Sequence, residues 1–234
     1  MSQKMKTGVL FIHGFTGGPF EVRPLVNFLK RESDWQIALP TLPGHGLTLN
    51  LGNVSADSWL MEAELAFKKL QKEVDRVIVV GFSMGGLIAM YLALRYKVDK
   101  LVLLSAAAKY ISPRILIKDL GILLIRPITK KYPPNTFYHL YDYKLTNTPL
   151  WAIVQFLSIV RMVEPYYGLI KTPVCIVQGG NDGIVPFASA EHLLKKLGSE
   201  KKEFIKSPFG KHHICYSDDC DNWFNEVLRF IRDE

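Results

Sequence analysis

Short apolar runs alternate with amphipathic stretches along nearly the whole chain. Residues 9–12 are uniformly apolar and predict a buried strand. Residues 20–31 carry Val22, Leu25, Val26 and Leu29 at helical spacing. Residues 36–39 predict a second strand, closed by Pro40. A helix capped by Asp57 or Ser58 is then expected to run to about Glu73. Residues 76–80 form a β-branched run of the kind found in strands buried on both faces of a parallel sheet. A helix over 84–96 follows, then a strand over 100–104. Near the end, strands over 174–178 and 202–206 alternate with helices over 188–197 and 223–231. Strand and helix in strict alternation predict an α/β fold, a mostly parallel central sheet flanked by helices.

One region breaks the alternation. Between residues 106 and 167 no strand pattern appears, and prolines recur at Pro113, Pro127, Pro133, Pro134 and Pro149. The stretch over 151–162 is apolar at helical spacing. We read 106–167 as a helical insertion between two sheet strands, within a single domain spanning residues 1–234.

Composition narrows the class further. The chain has 234 residues, of which 48% are hydrophobic, which suits one well-buried domain. Its formal net charge is +7, which raises nucleic acid or an anionic surface as a partner. The lysines are scattered, however, as at Lys68, Lys69, Lys72, Lys195, Lys196, Lys201 and Lys202. No basic run or nucleic-acid motif accompanies them, so no nucleic-acid partner is expected. The three cysteines are widely spaced and form no C-x-x-C pattern. Neither a disulfide framework nor a metal site is expected, and reduced thiols suit the cytoplasm. The apolar run near the N-terminus is too short for a signal peptide and is interrupted by His13. No stretch reaches the roughly 18 apolar residues of a membrane span, so only transient contact with lipid is foreseen.

The chemistry centres on Gly81-Phe82-Ser83-Met84-Gly85, a G-x-S-x-G between a β-branched strand and a helix. That setting makes the motif a nucleophile elbow, where a sharp turn lifts the serine Oγ clear of the backbone. The glycines remove side chains that would clash with the turn. The N–H of Met84, at the helix start, faces the place where a carbonyl oxygen becomes negative. The second oxyanion donor is expected from His13-Gly14-Phe15-Thr16-Gly17-Gly18, after the first strand, and we assign it to the N–H of Phe15. His13 itself is read as a brace for that loop. The acid and base of such a site follow the serine in the order acid, then histidine. Asp182, in Gly179-Gly180-Asn181-Asp182-Gly183, stands just beyond a strand's C-terminal end, where α/β sites gather. Four histidines follow Ser83, and two of them, His212 and His213, lie just after the last strand. Either can bridge Ser83 and Asp182.

At this point the chain resembles the small bacterial carboxylesterases and monoacylglycerol lipases of the α/β-hydrolase superfamily. The segments that carry the likeness are residues 10–17, Leu42-Pro43-Gly44-His45-Gly46, Asp57-Ser58-Trp59, Gly81-Phe82-Ser83-Met84-Gly85-Gly86 and the loops of Asp182 and His212. The resemblance implies Ser83, Asp182 and His212 as a catalytic triad, with the Phe15 and Met84 N–H groups as oxyanion hole. Aligned without a gap, the family's C-terminal segment places its histidine on His212. The resemblance also implies a small helical cap, matching the insertion, and no cofactor. The expected activity is hydrolysis of short- to medium-chain carboxylic esters or monoacylglycerols through an acyl-enzyme. Trp151, Phe156, Leu157 and Tyr166 are expected to line the acyl pocket. An acyl-thioesterase or amidase would use the same triad, and a non-catalytic binding protein of this fold is the rival from another class. A haloalkane dehalogenase would need an aspartate at Ser83. The partner is then a small ester, with the protein a monomer or homodimer.

Overall fold

Thr7–Ile12 (β1), Gln36–Ala38 (β2), Arg76–Phe82 (β3), Lys100–Leu104 (β4), Val174–Gly179 (β5) and Lys202–Ser207 (β6) form one sheet in the order β2-β1-β3-β4-β5-β6. Every neighbouring pair is parallel. The computed structural model describes residues 5–108 and 148–233. β1, β4 and β5 are buried at every position, and β3 at all but Arg76. Continuous apolar sequence is what a strand covered on both faces requires. The edge strands β2 and β6 are partly exposed, and their sequences are correspondingly more polar.

The helices are Arg23–Glu32 (α1), Ala56–Gln71 (α2), Met84–Arg95 (α3), Leu150–Val163 (α4), Phe187–Lys196 (α5) and Cys220–Arg232 (α6). Alternate strand residues face opposite layers. Leu10, Ile12, Val79, Leu101, Leu103 and Ile176 pack with the buried faces of α2, α3, α4 and α5. Val9, Phe11, Ile78, Val80, Val102 and Val177 pack with α1 and α6. The α/β architecture is therefore a three-layer one, with the C-terminal ends of β1, β3, β5 and β6 delivering the loops that carry the candidate site.

Local boundaries differ from the sequence expectation in instructive ways. The helix expected over 20–31 divides into a 3₁₀ turn, Pro19–Glu21, and α1. The cap of α2 is Ser55, whose Oγ accepts the Ser58 N–H at 3.3 Å, rather than Asp57 or Ser58. α6 begins at Cys220 rather than at residue 223, since its first turn is polar and offers no apolar period to read. Of the proposed insertion, residues 109–147 lie outside the described residues, with Pro113, Pro127, Pro133 and Pro134 among them. Its C-terminal part is α4, which buries Ala152, Ile153, Phe156, Ile159, Val160 and Val163 along one stripe. Leu157 is partly buried against the same core. Trp151 and Tyr166 are half-exposed, so of the four residues expected to line an acyl pocket these two do not face the core. Among the described residues, no helix is long and apolar enough to cross a membrane.

Candidate active site

Ser83 sits between β3 and α3 with φ 52° and ψ −115°, in a region that side-chain-bearing residues seldom occupy. Its surroundings hold it there. The Ser83 N–H donates to Leu104 O at 2.9 Å, and Ser83 O accepts from Gly86 N–H at 3.0 Å. A Cβ on Gly81 would lie 2.2 Å from Gly85 O, and one on Gly85 would lie 2.1 Å from Ile12 O. No side chain fits at either position, which is why the turn is written with glycine. A strained residue over-determined by its neighbours is a common mark of a functional position.

Asp182 follows β5 and its side chain is fully covered. Oδ1 accepts the Ile184 and Val185 N–H groups, each at 2.9 Å. Oδ2 accepts from the Gln178 amide at 3.3 Å and faces His212 Nδ1 at 3.0 Å. Burial by itself raises the carboxyl pKa. The His212 ring, through the charge it carries when protonated and through its bond, together with the two N–H bonds, outweighs it and holds Asp182 below the ordinary carboxylate value.

The loop carrying His212 is bound to the loop carrying Asp182. Gly180 N–H donates to Ser207 O at 2.8 Å and Asn181 N–H to Gly210 O at 2.9 Å. A Cβ on Gly179 would meet Gly210 O at 2.4 Å, so the two loops approach backbone to backbone. His212 is 8% exposed, its ring resting beside Phe82 with centroids 5.1 Å apart. His212 Nε2 is 3.1 Å from Ser83 Oγ. An ionised Asp182 can only accept, so Nδ1 carries the proton of a neutral ring. Nε2 is then free to accept from the serine hydroxyl. Ser83, His212 and Asp182 thus form one continuous relay.

His213 turns away. Its ring stands at 75° to that of His212, and its Nε2 lies 3.3 Å from Glu21 Oε1. His13 takes no part in the relay. Its Nε2 accepts the Leu42 N–H at 3.0 Å and its Nδ1 donates to Gly14 O at 2.9 Å, which braces the glycine loop as expected.

That loop packs beside the serine elbow. Met84 opens α3, so its N–H is among the four that a helix leaves without an internal acceptor. Phe15 lies between Gly14 and Thr16, the latter at φ 57°. The Phe15 ring stacks on Phe156 of α4 with centroids 5.4 Å apart and meets Trp59 edge-on at 6.0 Å. Among the described residues, no cluster of His, Cys, Asp or Glu could hold a metal ion.

Sequence reasoning missed Glu21. It is 3% exposed, and its carboxylate accepts the Gly14 N–H at 2.9 Å and the Gly18 N–H at 3.3 Å. The signal was present: a glutamate three residues after Gly18, with Pro19 between, is the helix-start pattern in which an acid reaches back to backbone N–H. Burial raises its pKa, but the bond to His213, the His213 charge and the Gly14 N–H more than offset that and hold it low. Glu21 and Asp182 therefore carry fewer protons folded than unfolded. Their contribution to stability is complete above the ordinary values of 4.5 and 3.8. It is lost as pH falls through those values toward the lower folded ones. Urea unfolding is expected to show stability dropping from about pH 5 to about pH 3, with a shallower drop in Glu21→Gln. Equal slopes in the two proteins would contradict this.

Residues 9–214 match the family model described as the alpha/beta hydrolase family. Among characterised relatives, a thermostable monoacylglycerol lipase of Bacillus sp. (strain H-257) is 25% identical over 212 residues, covering 85% of this chain and 80% of the relative. A carboxylesterase of Bacillus subtilis (strain 168) is 21% identical over 227 residues, covering 95% of this chain and 91% of the relative. Among solved structures, one of the metagenome-derived lipolytic enzymes LipS and LipT superposes with a TM-score of 0.80 at 26% identity, covering 98% of this chain and 95% of that one. Paleococcus ferrophilus monoacylglycerol lipase, at 17% identity and a TM-score of 0.71 over 96% of this chain and 93% of that one, shares the fold. With the parallel sheet, the strained serine elbow and a family match spanning most of its length, the chain belongs to the alpha/beta hydrolase family.

Proposed function

We propose that this protein is a serine carboxylesterase that hydrolyses short- to medium-chain carboxylic esters or monoacylglycerols through an acyl-enzyme. The observation that carries this is the relay from Asp182 Oδ2 through His212 to Ser83 Oγ, with contacts of 3.0 and 3.1 Å. Relatives named as a monoacylglycerol lipase and a carboxylesterase support the ester class. In the first step Ser83 Oγ attacks the ester carbonyl as His212 Nε2 takes its proton. The carbonyl oxygen gains negative charge and is held by the N–H groups of Phe15 and Met84. His212 then hands the proton to the leaving alkoxide, and the alcohol departs. Water, deprotonated by His212, attacks the acyl-enzyme; the acid leaves and Ser83 regains its proton. Asp182 holds the ring's tautomer and offsets the charge of the imidazolium. No cofactor enters this scheme.

We also place residues 106–167 as a cap within the single domain, setting acyl preference, and the protein in the cytoplasm. The described cysteines, Cys175, Cys215 and Cys220, are free thiols, which suits a reducing compartment. For the cap, the support is the stacking of Phe156 on Phe15, which brings α4 to the glycine loop. Phe156→Ala is expected to shift the chain-length profile of 4-nitrophenyl esters more than it lowers activity on the acetate. A uniform loss across all lengths would mean that Phe156 serves folding instead.

The deciding experiment joins two measurements. A fluorophosphonate probe should label Ser83, located by peptide mapping. A panel of 4-nitrophenyl esters of rising acyl length, with a monoacylglycerol and an acyl-thioester beside them, should show turnover fastest on an oxygen ester. Absence of labelling would leave a binding protein of this fold, and faster turnover of the thioester would make the enzyme a thioesterase.

A further inference from the structure

Glu21 is buried beside the candidate site, and the reaction scheme has no use for its charge. Its two oxygens face different loops. Oε2 accepts the N–H groups of Gly14 and Gly18, at 2.9 and 3.3 Å, on either side of Phe15. Oε1 stands 3.3 Å from Nε2 of His213, the residue next to His212. The loop is wrapped closely on the carboxylate, since a Cβ on Gly17 would lie 1.8 Å from Oε2. A second strut joins the same two segments: Tyr216 OH donates to Phe20 O at 2.6 Å.

The glycine loop needs such support. Gly14, Gly17 and Gly18 have no side chains to pin it, and Thr16 is held at φ 57°, where a β-branched residue is strained. An oxyanion donor works only if it is aimed before the charge develops. A buried carboxylate is unfavourable unless its acceptors are filled, so each of these bonds resists the loop's departure.

We propose that Glu21 is a positioning residue for the reaction, clamping the Phe15 N–H in place and tying its loop to the His212 loop through His213. This rests on the esterase reading above. Glu21 does not touch the substrate; it acts through Gly14, Gly18 and His213, and keeps the oxyanion donor and the base at one spacing.

The test compares catalysis with capture of a tetrahedral anion. An alkyl boronic acid forms a bond from Ser83 Oγ to boron, and the adduct carries the negative charge that the transition state develops. In Glu21→Gln the clamp keeps its shape but loses one acceptor oxygen. Its kcat on 4-nitrophenyl butyrate is expected to fall by about 10- to 100-fold, below the roughly 10²- to 10³-fold loss of a whole oxyanion donor. KM is expected to stay within about twofold, and boronate affinity to fall by the same factor as kcat. A folded Glu21→Gln enzyme with kcat and boronate affinity both within about twofold of wild type overturns the proposal. Should that variant fail to fold, His213→Ala carries the test by releasing the other end of the clamp. There kcat and boronate affinity are expected to fall together, by about tenfold, and a fall in one without the other overturns the proposal. The double variant is expected to lose less than the product of the two single losses, because both changes break one chain of contacts. Fluorophosphonate labelling of wild type separates the failures. Labelled Ser83 with indifferent Glu21 and His213 variants overturns the positioning role alone, whereas unlabelled Ser83 overturns the esterase reading as well.

Discussion

Ser83→Ala is expected to lower kcat on 4-nitrophenyl esters by about 10⁴-fold or more, with the protein still folded. The size follows from the chemistry. Alanine has no oxygen to form the acyl-enzyme, and among the described residues it is Ser83 Oγ that faces His212 Nε2, at 3.1 Å. On the proposed scheme, what remains is water attack helped by the proposed oxyanion donors alone. Stability should hold or improve. Among the described residues the hydroxyl bonds to His212, and alanine meets the same backbone strain at φ 52°. Circular dichroism and a thermal melt check the fold, and ester turnover checks the chemistry. Activity above a tenth of wild type in a folded Ser83→Ala protein would sink the mechanism.

His212→Ala and His213→Ala should differ widely, although the residues are adjacent. His212→Ala is expected to lower kcat by roughly 10³-fold or more, as loss of a triad base does. With the ring gone, nothing takes the Ser83 proton, and the covered Asp182 carboxylate loses a hydrogen-bond donor. His213→Ala is expected to cost only about tenfold, since its ring faces Glu21 and acts on the site through a neighbouring loop. Steady-state kinetics on one short ester suffices. A dead His213→Ala with an active His212→Ala would reverse the assignment of the base while leaving the serine mechanism standing.

The alternation of apolar runs and amphipathic stretches was enough to read the layered α/β fold, because a strand buried on both faces reads as a near-continuous apolar run. The runs in β1, β3, β4 and β5 are of that kind. The serine elbow was equally legible. Gly81 and Gly85 are dictated by contacts within one strand–turn–helix unit and the adjoining strand, so the requirement appears as a short motif. The place of Asp182, just beyond the end of β5 and facing His212, was legible from its order and position in the chain. The base was narrowed to two histidines and no further by residue pattern. Which of them meets Ser83 depends on how one loop turns against β5, through bonds from Gly180 and Asn181 that no local pattern encodes. The contact between Glu21 and the His212 loop was hidden for the same reason. Its reach back to Gly14 and Gly18 follows a local helix-start pattern, but His213 comes from the other end of the chain, and only packing brings that ring to the carboxylate. Local sequence determines which backbone shapes and periodicities are affordable; contacts between distant segments choose among the polar groups that those shapes could present, and here that choice set His212 on the serine and His213 on the glutamate.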